Sequence, residues 1–479
     1  MALPAWPMSP AASTPGRCNS TPPCPATEGM PMPLPFRRPQ ACLAMLLLWG
    51  AATAQAQSLR QLYEAAHGYD ATYQSALASA RASQARADQA RAGLLPQVGM
   101  QAGAQHNWNE TSVLGGSSSR AFNTLNAALV GSQPLYRPAN RIALNQGQRA
   151  AEAAQINLAG AEQDLIVRLA QAYFDVLAAQ DTLASVRALK AAVNEQLQAA
   201  RRNFEVGTTT ITDTREAQAR FDLATAQEIA TENDLRVKKL ALDQLVGRSG
   251  VEPRPLAQPI TLPPLQPDEV AAWVEQATEQ HPGVRQARAA LDIARLETDK
   301  ARAGHRPTLD LQASVGQTRY PDGNPSLSAA PRASARTTNA SVGVVLNWPL
   351  FAGFAVENRI RETLSLEDKA QADLDNVQRA VSQATRAAFF GVQSGLGQVK
   401  ALQAAEASSL TALQANQLGY QVGVRINIDV LNAQSQLYQT QRDLARARYE
   451  VLLGGLRLKQ AAGALSDADL TPINQMLVP

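Results

Sequence analysis

Two periods of hydrophobic residues alternate along this chain. From Leu165, apolar residues recur at Leu169, Ala172, Val176, Ala179, Leu183, Val186, Val193, Leu197, Ala200 and Phe204, interrupted at Lys190. That spacing is a repeat of roughly 3.5 residues, which predicts helices in left-handed coiled-coil packing. Displaced by 216 residues, the register returns as Val381, Thr385, Ala388, Val392, Gly395, Val399, Leu402, Ser409, Leu413, Asn416 and Tyr420. Glu406 then stands where Lys190 stood. Both are read as solvated, snorkelling side chains in preference to a seam ion pair. A continuous helix from Arg141 to Glu205 would run about 100 Å at about 1.5 Å per residue, far beyond a bilayer. Its other faces are polar, so it must stand in water.

The second period is two. Gln97–Asn109 sets Val98, Met100, Ala102, Ala104 and Trp108 on one face, against Gln97, Gln101, Gln105, Asn107 and Asn109. Thr308–Thr318 repeats the alternation, and partner strands are predicted over about Asn123–Tyr136 and Asn339–Phe351. Trp108, Phe122, Tyr136, Tyr320, Trp348 and Phe351 lie near strand ends, as an interfacial aromatic girdle would require. Strands of roughly ten residues fit a transmembrane β-barrel, although alternation alone serves a soluble sandwich equally well. Four strands cannot close a barrel, and open edges do not survive in lipid. A barrel would therefore be shared between chains, with eight, twelve or sixteen strands as the options. The connections Glu110–Ala121 and Pro321–Thr338 are Gly/Ser/Pro-rich and are predicted to be mobile loops.

Each half reads as helix, strand, loop, strand, long helix, tip, helix. The first helices, Leu59–Gly93 and Asp268–Gly304, are interrupted near His67-Gly68 and at His281-Pro282-Gly283. Ala90–Pro96 resembles Ala301–Pro307, Pro134-Leu135-Tyr136 resembles Pro349-Leu350-Phe351, and Leu245-Val246-Gly247 corresponds to Ala461-Ala462-Gly463. The chain is an internal duplication. Its two tips, Phe204–Gln218 and Tyr420–Gln434, also match. In each, a Gly (Gly207, Gly423) supplies a left-handed helix cap, and Thr or Asp beyond it can cap the next helix. Asp213 with Glu216 has capping-box spacing.

Composition adds the compartment. Residues 1–56 are predicted to be an N-terminal extension and signal peptide. Phe36-Arg37-Arg38, the apolar run Ala41–Ala52 and Ala54-Gln55-Ala56 follow the basic, apolar, small-x-small order, with cleavage after Ala56. The Pro-rich stretch before Phe36 is long for such a signal, which makes Met30 or Met32 a candidate start. Cys18, Cys24 and Cys42 all precede the cleavage point, which suits an oxidising compartment. Cys42 opens the apolar run instead of closing it, so no lipid-modified Cys is expected. The mature chain divides into a first repeat (57–250), a Pro-rich connector (251–267), a second repeat (268–465) and a short tail (466–479). A net charge of +3 gives no reason to expect nucleic acid. His67, His106, His281 and His305 have no ligand spacing, so no metal is expected. There is no phosphate loop, nucleotide fingerprint or Ser/His/Asp signature, so neither cofactor nor catalysis is expected.

The paired tips, the helix-to-strand junctions Leu94-Leu95-Pro96-Gln97 and His305-Arg306-Pro307-Thr308-Leu309, and Pro349-Leu350-Phe351 followed by a Gly carry a resemblance to the TolC family of outer-membrane export channels. It covers nearly all of Ser58–Leu470. The resemblance implies a homotrimer whose twelve-stranded barrel sits in outer-membrane lipid and whose helices continue as a tunnel across the periplasm. A periplasmic adaptor and an inner-membrane pump dock at the closed tips. Tyr420 and Arg425 resemble the inner-hairpin members of the lock, and Thr212 and Asp213 their outer-hairpin partners. Asp429 matches the first acidic ring of the entrance. At the second ring position this chain has Asn432, not an acid.

The function expected is passive exit in type I secretion, energised by an inner-membrane ABC transporter that delivers a protein substrate. Overall likeness points to a component exporting adenylate cyclase–haemolysin (cyclolysin) type toxins. The alternative is the duct of a drug or metal efflux pump. A coiled-coil adhesin or structural protein fits less well, since it needs no matched pair of hairpins. Fewer carboxylates on the axis weaken the negative potential there. Multivalent cations should therefore block conductance in planar bilayers less than in relatives with two acidic rings, and Asn432→Asp should strengthen the block. Equal block in parent and variant would contradict this.

Overall fold

The computed structural model describes residues 57–113, 115–323 and 333–478. The expected signal peptide, the three cysteines and residues 324–332 of the second loop lie outside the described residues. Each half opens with a broken helix. Helices α1 (Leu59–Tyr69) and α2 (Ala71–Ala92) meet at Asp70. Its N–H donates to the Ala66 carbonyl (2.7 Å) and its carboxylate accepts from the Tyr73 N–H (2.8 Å), so one residue ends α1 and caps α2. The break thus falls just beyond the expected His67-Gly68, because an acid caps better than Gly there.

Four strands follow in two pairs. Strands β1 (Gln97–Val113) and β2 (Gly116–Tyr136) lead into the long helix α3 (Pro138–Glu205) and its return α4 (Ile211–Val246). In the second half, α5 (Val270–Gln280) and α6 (Pro282–Arg302) meet at His281, whose Nδ1 accepts from the Gly283 N–H (3.0 Å). Strands β3 (Thr308–Tyr320) and β4 (Ala335–Asn347) then lead into α7 (Ala355–Gln421) and α8 (Asn427–Ala461).

The strands form one antiparallel sheet in chain order, with β1 and β4 as its edges. Residue rows run straight across it. Val98, Gly131, Ala313 and Val342 form one, and Met100, Leu129, Val315 and Ala340 the next on the same face. Gln97, Ser132, Gln312 and Gly343 lie on the opposite face. On the first face Val98, Met100 and Val342 are 70%, 75% and 78% exposed. Apolar side chains left bare in a contiguous band call for lipid, not water. Among the described residues no helix is long and apolar enough to cross a membrane, so the sheet is the element suited to it.

The strands are longer than the roughly ten residues expected. β1 has 17 residues and β2 has 21, paired as far as Val113 and Gly116. Most of the predicted loop Glu110–Ala121 is therefore strand. Its Ser and Thr residues pair across the hairpin in water, where extended backbone needs no apolar face, and so its composition misled. β4 stops at Asn347, short of the expected Phe351, because Pro349 has no N–H for the ladder. At the base of the sheet the Arg137 guanidinium donates to both Asp310 oxygens (2.8 and 2.6 Å), tying the start of α3 to β3.

Helices α3 and α7 hold 68 and 67 residues, each about 100 Å long. The predicted seam is buried in α3, through Leu165, Leu169, Val176, Leu183, Val186, Val193 and Leu197. In α7 it survives as a sparser set, Val381, Thr385, Val392, Val399 and Leu413. The asymmetry follows from packing, since α3 touches α2, α4, α6 and α8. Lys190 reaches Glu228 on α4 (2.9 Å) and lies 5.5 Å from the Phe221 ring centroid. It remains partly solvated, as expected, but is paired across the hairpin with Glu228, not with Glu406. Lys190 and Arg187 together hold the Glu228 carboxylate below its usual range.

The connector runs extended beside the main core, burying Val251 and Leu256. Residues beyond α8 do more than trail. Leu470, Ile473 and Leu477 are buried with Leu59, Leu62 and Tyr173, and Leu477 bridges to Leu256. Both return helices end beside a broken-helix junction. Gly247 and Gly463 share φ of 73°, and a Cβ on Gly463 would lie 2.5 Å from the His281 Cα. Backbone cannot swing aside. Gly463→Ala should therefore cost about 3 kcal/mol from left-handed strain plus overlap, against about 1 kcal/mol for Gly207→Ala in open space. Thermal unfolding in detergent checks this, and equal midpoints for the two variants would refute it.

Candidate functional site

The two hairpin tips turn alike and then diverge. Gly207 and Gly423 have φ of 77° and 80°, and nothing lies within 4 Å of a Cβ added to either. The left-handed backbone alone demands Gly there. The Thr208 N–H donates to the Asn203 carbonyl (2.8 Å) and the Val424 N–H to that of Gly419 (2.9 Å), closing both helices in the same way.

Beyond the turn, Thr210 caps α4. Its Oγ1 accepts from the Asp213 N–H (3.3 Å), while the Asp213 carboxylate accepts from the Thr210 N–H (3.2 Å) and hydroxyl (2.9 Å). The box is formed by Thr210 with Asp213, not by Asp213 with Glu216. Helix α8 starts after Ile426 with no side-chain cap. Asp429 sits in its first turn, where the helix dipole favours an anion, 3.7 Å from the Arg425 guanidinium. Both partners are accessible to water, so this pair adds little stability.

The six predicted tip side chains are not all brought together within one chain. Thr212 is exposed and makes no side-chain hydrogen bond among the described residues. Asp213 is engaged by its own turn. The Tyr420 hydroxyl accepts from Asn203 Nδ2 (3.4 Å), and Asn432 Oδ1 accepts from the Arg220 guanidinium (3.0 Å), so these two reach the first hairpin. Arg425, Asp429 and Asn432 line one groove with Ser409, Asn416 and Gln436. Gly419 makes room for the Arg425 stem, since a Cβ there would come 2.6 Å from Arg425 Cγ.

A buried link between the hairpins was not foreseen. Asn427 is 2% exposed; its amide accepts from Gln196 on α3 and donates to the Asp213 carbonyl (3.4 Å). Behind it Val193, Leu197, Ala200, Ala217 and Leu431 form a small apolar cluster joining α3, α4 and α8. A polar residue in line with Leu431 and Gln434 at helical spacing was the available signal. Arg220 gave none, because its partner is 212 residues away.

A model for outer membrane efflux proteins matches residues 62–248 and 273–464. The chain belongs to the TolC-type outer membrane efflux protein family. It is 33% identical over 420 residues to the outer membrane protein TolC of Vibrio cholerae, spanning 88% of this chain and 93% of that one. It is 31% identical over 414 residues to the alkaline protease secretion protein AprF of Pseudomonas aeruginosa, spanning 85% of each. The fold is shared with the outer membrane protein VceC of Vibrio cholerae, at a TM-score of 0.73, 20% identity, and coverage of 85% and 96%. The two matched segments correspond to the two halves of the duplication. This TolC-family chain is thus an outer-membrane channel protein with a periplasmic extension, and the family's role is transport, not catalysis.

In this TolC-family chain Asn427 fastens α8 to the first hairpin. Asn427→Ala removes the buried partner of the half-buried Gln196 amide, at a cost of about 1 kcal/mol. The tips should then be nicked faster by protease around Glu205–Thr210 at unchanged overall fold. Unaltered nicking would show that the link is not structural.

Proposed function

We propose that three copies of this chain form one exit duct, each giving four strands to a twelve-stranded barrel. The observation that carries this reading is the sheet itself, lipid-suited on one face and open at both edges. In hydrocarbon such edges need partners, and further copies of the same chain supply them. Inside the ring the tips narrow the periplasmic entrance. Thr212 and Arg425 are both exposed, Thr212 with no side-chain hydrogen bond among the described residues, and they engage a neighbouring copy. Tyr420, Asp213, Asp429 and Asn432 complete the gate, with Gly207 and Gly423 shaping its turns.

The cargo is a protein handed over by an inner-membrane ABC transporter through a periplasmic adaptor, in type I secretion. Support comes from AprF, named for alkaline protease secretion and matched along 85% of its length. The second reading, the duct of a drug or metal efflux pump, rests on the efflux proteins for which the matched family model is named. Deleting the gene separates the two. The expected result is loss of a secreted protein from the medium at unchanged sensitivity to drugs and metals. Heightened sensitivity with normal secretion would overturn the first reading in favour of the second.

A further inference from the structure

The two return helices, α4 and α8, rise from the tips side by side and touch in successive rungs. At the first, Asn427 donates to the Asp213 carbonyl (3.4 Å). At the second, Leu431 packs in the cluster that holds Ala217. At the third, the Arg220 guanidinium donates to Asn432 Oδ1 (3.0 Å). Above it a groove opens between the helices, lined by Leu223 and Gln227 on one side and by Ser435, Tyr438 and Gln439 on the other, with Val186 and Leu189 of α3 also lining it. Arg220 and Asn432 thus make a direct α4–α8 rung beside this groove, while α8 stays packed on α3 as far as the Tyr449 hydroxyl, which donates to Asp181 (2.6 Å).

We infer that the Arg220–Asn432 bridge is a latch of the closed entrance, additional to the lock formed by Thr212, Asp213, Tyr420 and Arg425, and that it depends on Arg220 as a positioning residue. The inference rests on the reading of the tips as a gate. Its physical basis is direct: moving α8 away from α4 at the entrance breaks this rung, a single charge-assisted hydrogen bond reachable by water. A neutral amide at 432 accepts that bond without the strength of an ion pair, so the latch holds but can be released. The same guanidinium also brings positive charge to the second ring position.

The test is the single-channel conductance of the purified assembly in planar bilayers, with Arg425→Ala as the reference for the gate. Arg220→Ala and Asn432→Ala should each shift the closed-to-open ratio roughly fivefold per protomer. The double variant should shift it no further, and Asn432→Asp should lower the open fraction only while Arg220 is present. Arg220→Ala/Asn432→Asp should show the strongest block by divalent cations, because the new carboxylate then has no guanidinium beside it. Association in detergent and reactivity with an antibody to the exposed strands verify that each variant is assembled. If Arg425→Ala opens the channel while Arg220→Ala behaves as the parent, the latch is overturned and the gate stands. If neither changes conductance, the gate reading itself falls, and the latch with it.

Discussion

A peptide group in hydrocarbon has no water to turn to, and that constraint organises this molecule. The chain makes a sheet whose apolar face suits lipid and whose two outer strands carry rows of unpaired N–H and C=O groups. Neither property is stable alone. Each copy must lend its edges to another, and once the strands close into a ring the helices that continue them are ringed too. The long coiled-coil seams then do in water what strand pairing does in lipid. Arg137 and Asp310 mark the handover between the two regimes, a bidentate pair where strand becomes helix.

Duplication gives each copy two hairpins of one design, and small departures from that design separate their roles. The first hairpin has a full capping box at Thr210 and Asp213, so its tip is fastened by its own side chains. The second begins α8 at Ile426 without a cap, and its first-turn Asp429 is left accessible beside Arg425. One tip is held rigid while the other keeps its charges available. Burial follows the same division: α3 is enclosed by α1, α2, α4, α6 and α8, whereas much of α7 stays exposed within a single chain.

Periodicity made most of the fold legible. The seam of α3, the faces of the strands and the repeat order follow from spacing, because burial on one side imposes its period on the sequence. What failed did so where burial does not act. Residues 110–113 and 116–121 look like a loop because hydroxyl and glycine residues carry no face, although paired backbone holds them extended. The partner of Lys190 was missed since the sequence does not bring Glu228 beside it. At the tips, motif likeness marked Tyr420, Arg425, Asp429 and Asn432. It gave no hint of Asn203, Gln196 or Arg220, whose partners lie more than two hundred residues away along the chain. Long-range polar pairs leave no period.

On the proposed reading the tips form the closed constriction of a duct shared between copies. Single-channel conductance of the purified protein, compared with a Tyr420→Phe/Arg425→Ala variant, tests it most directly. Loosening the tips should raise conductance several-fold while the barrel, measured from its open end, is unchanged. Identical conductance in parent and variant would place the constriction elsewhere and contradict the account.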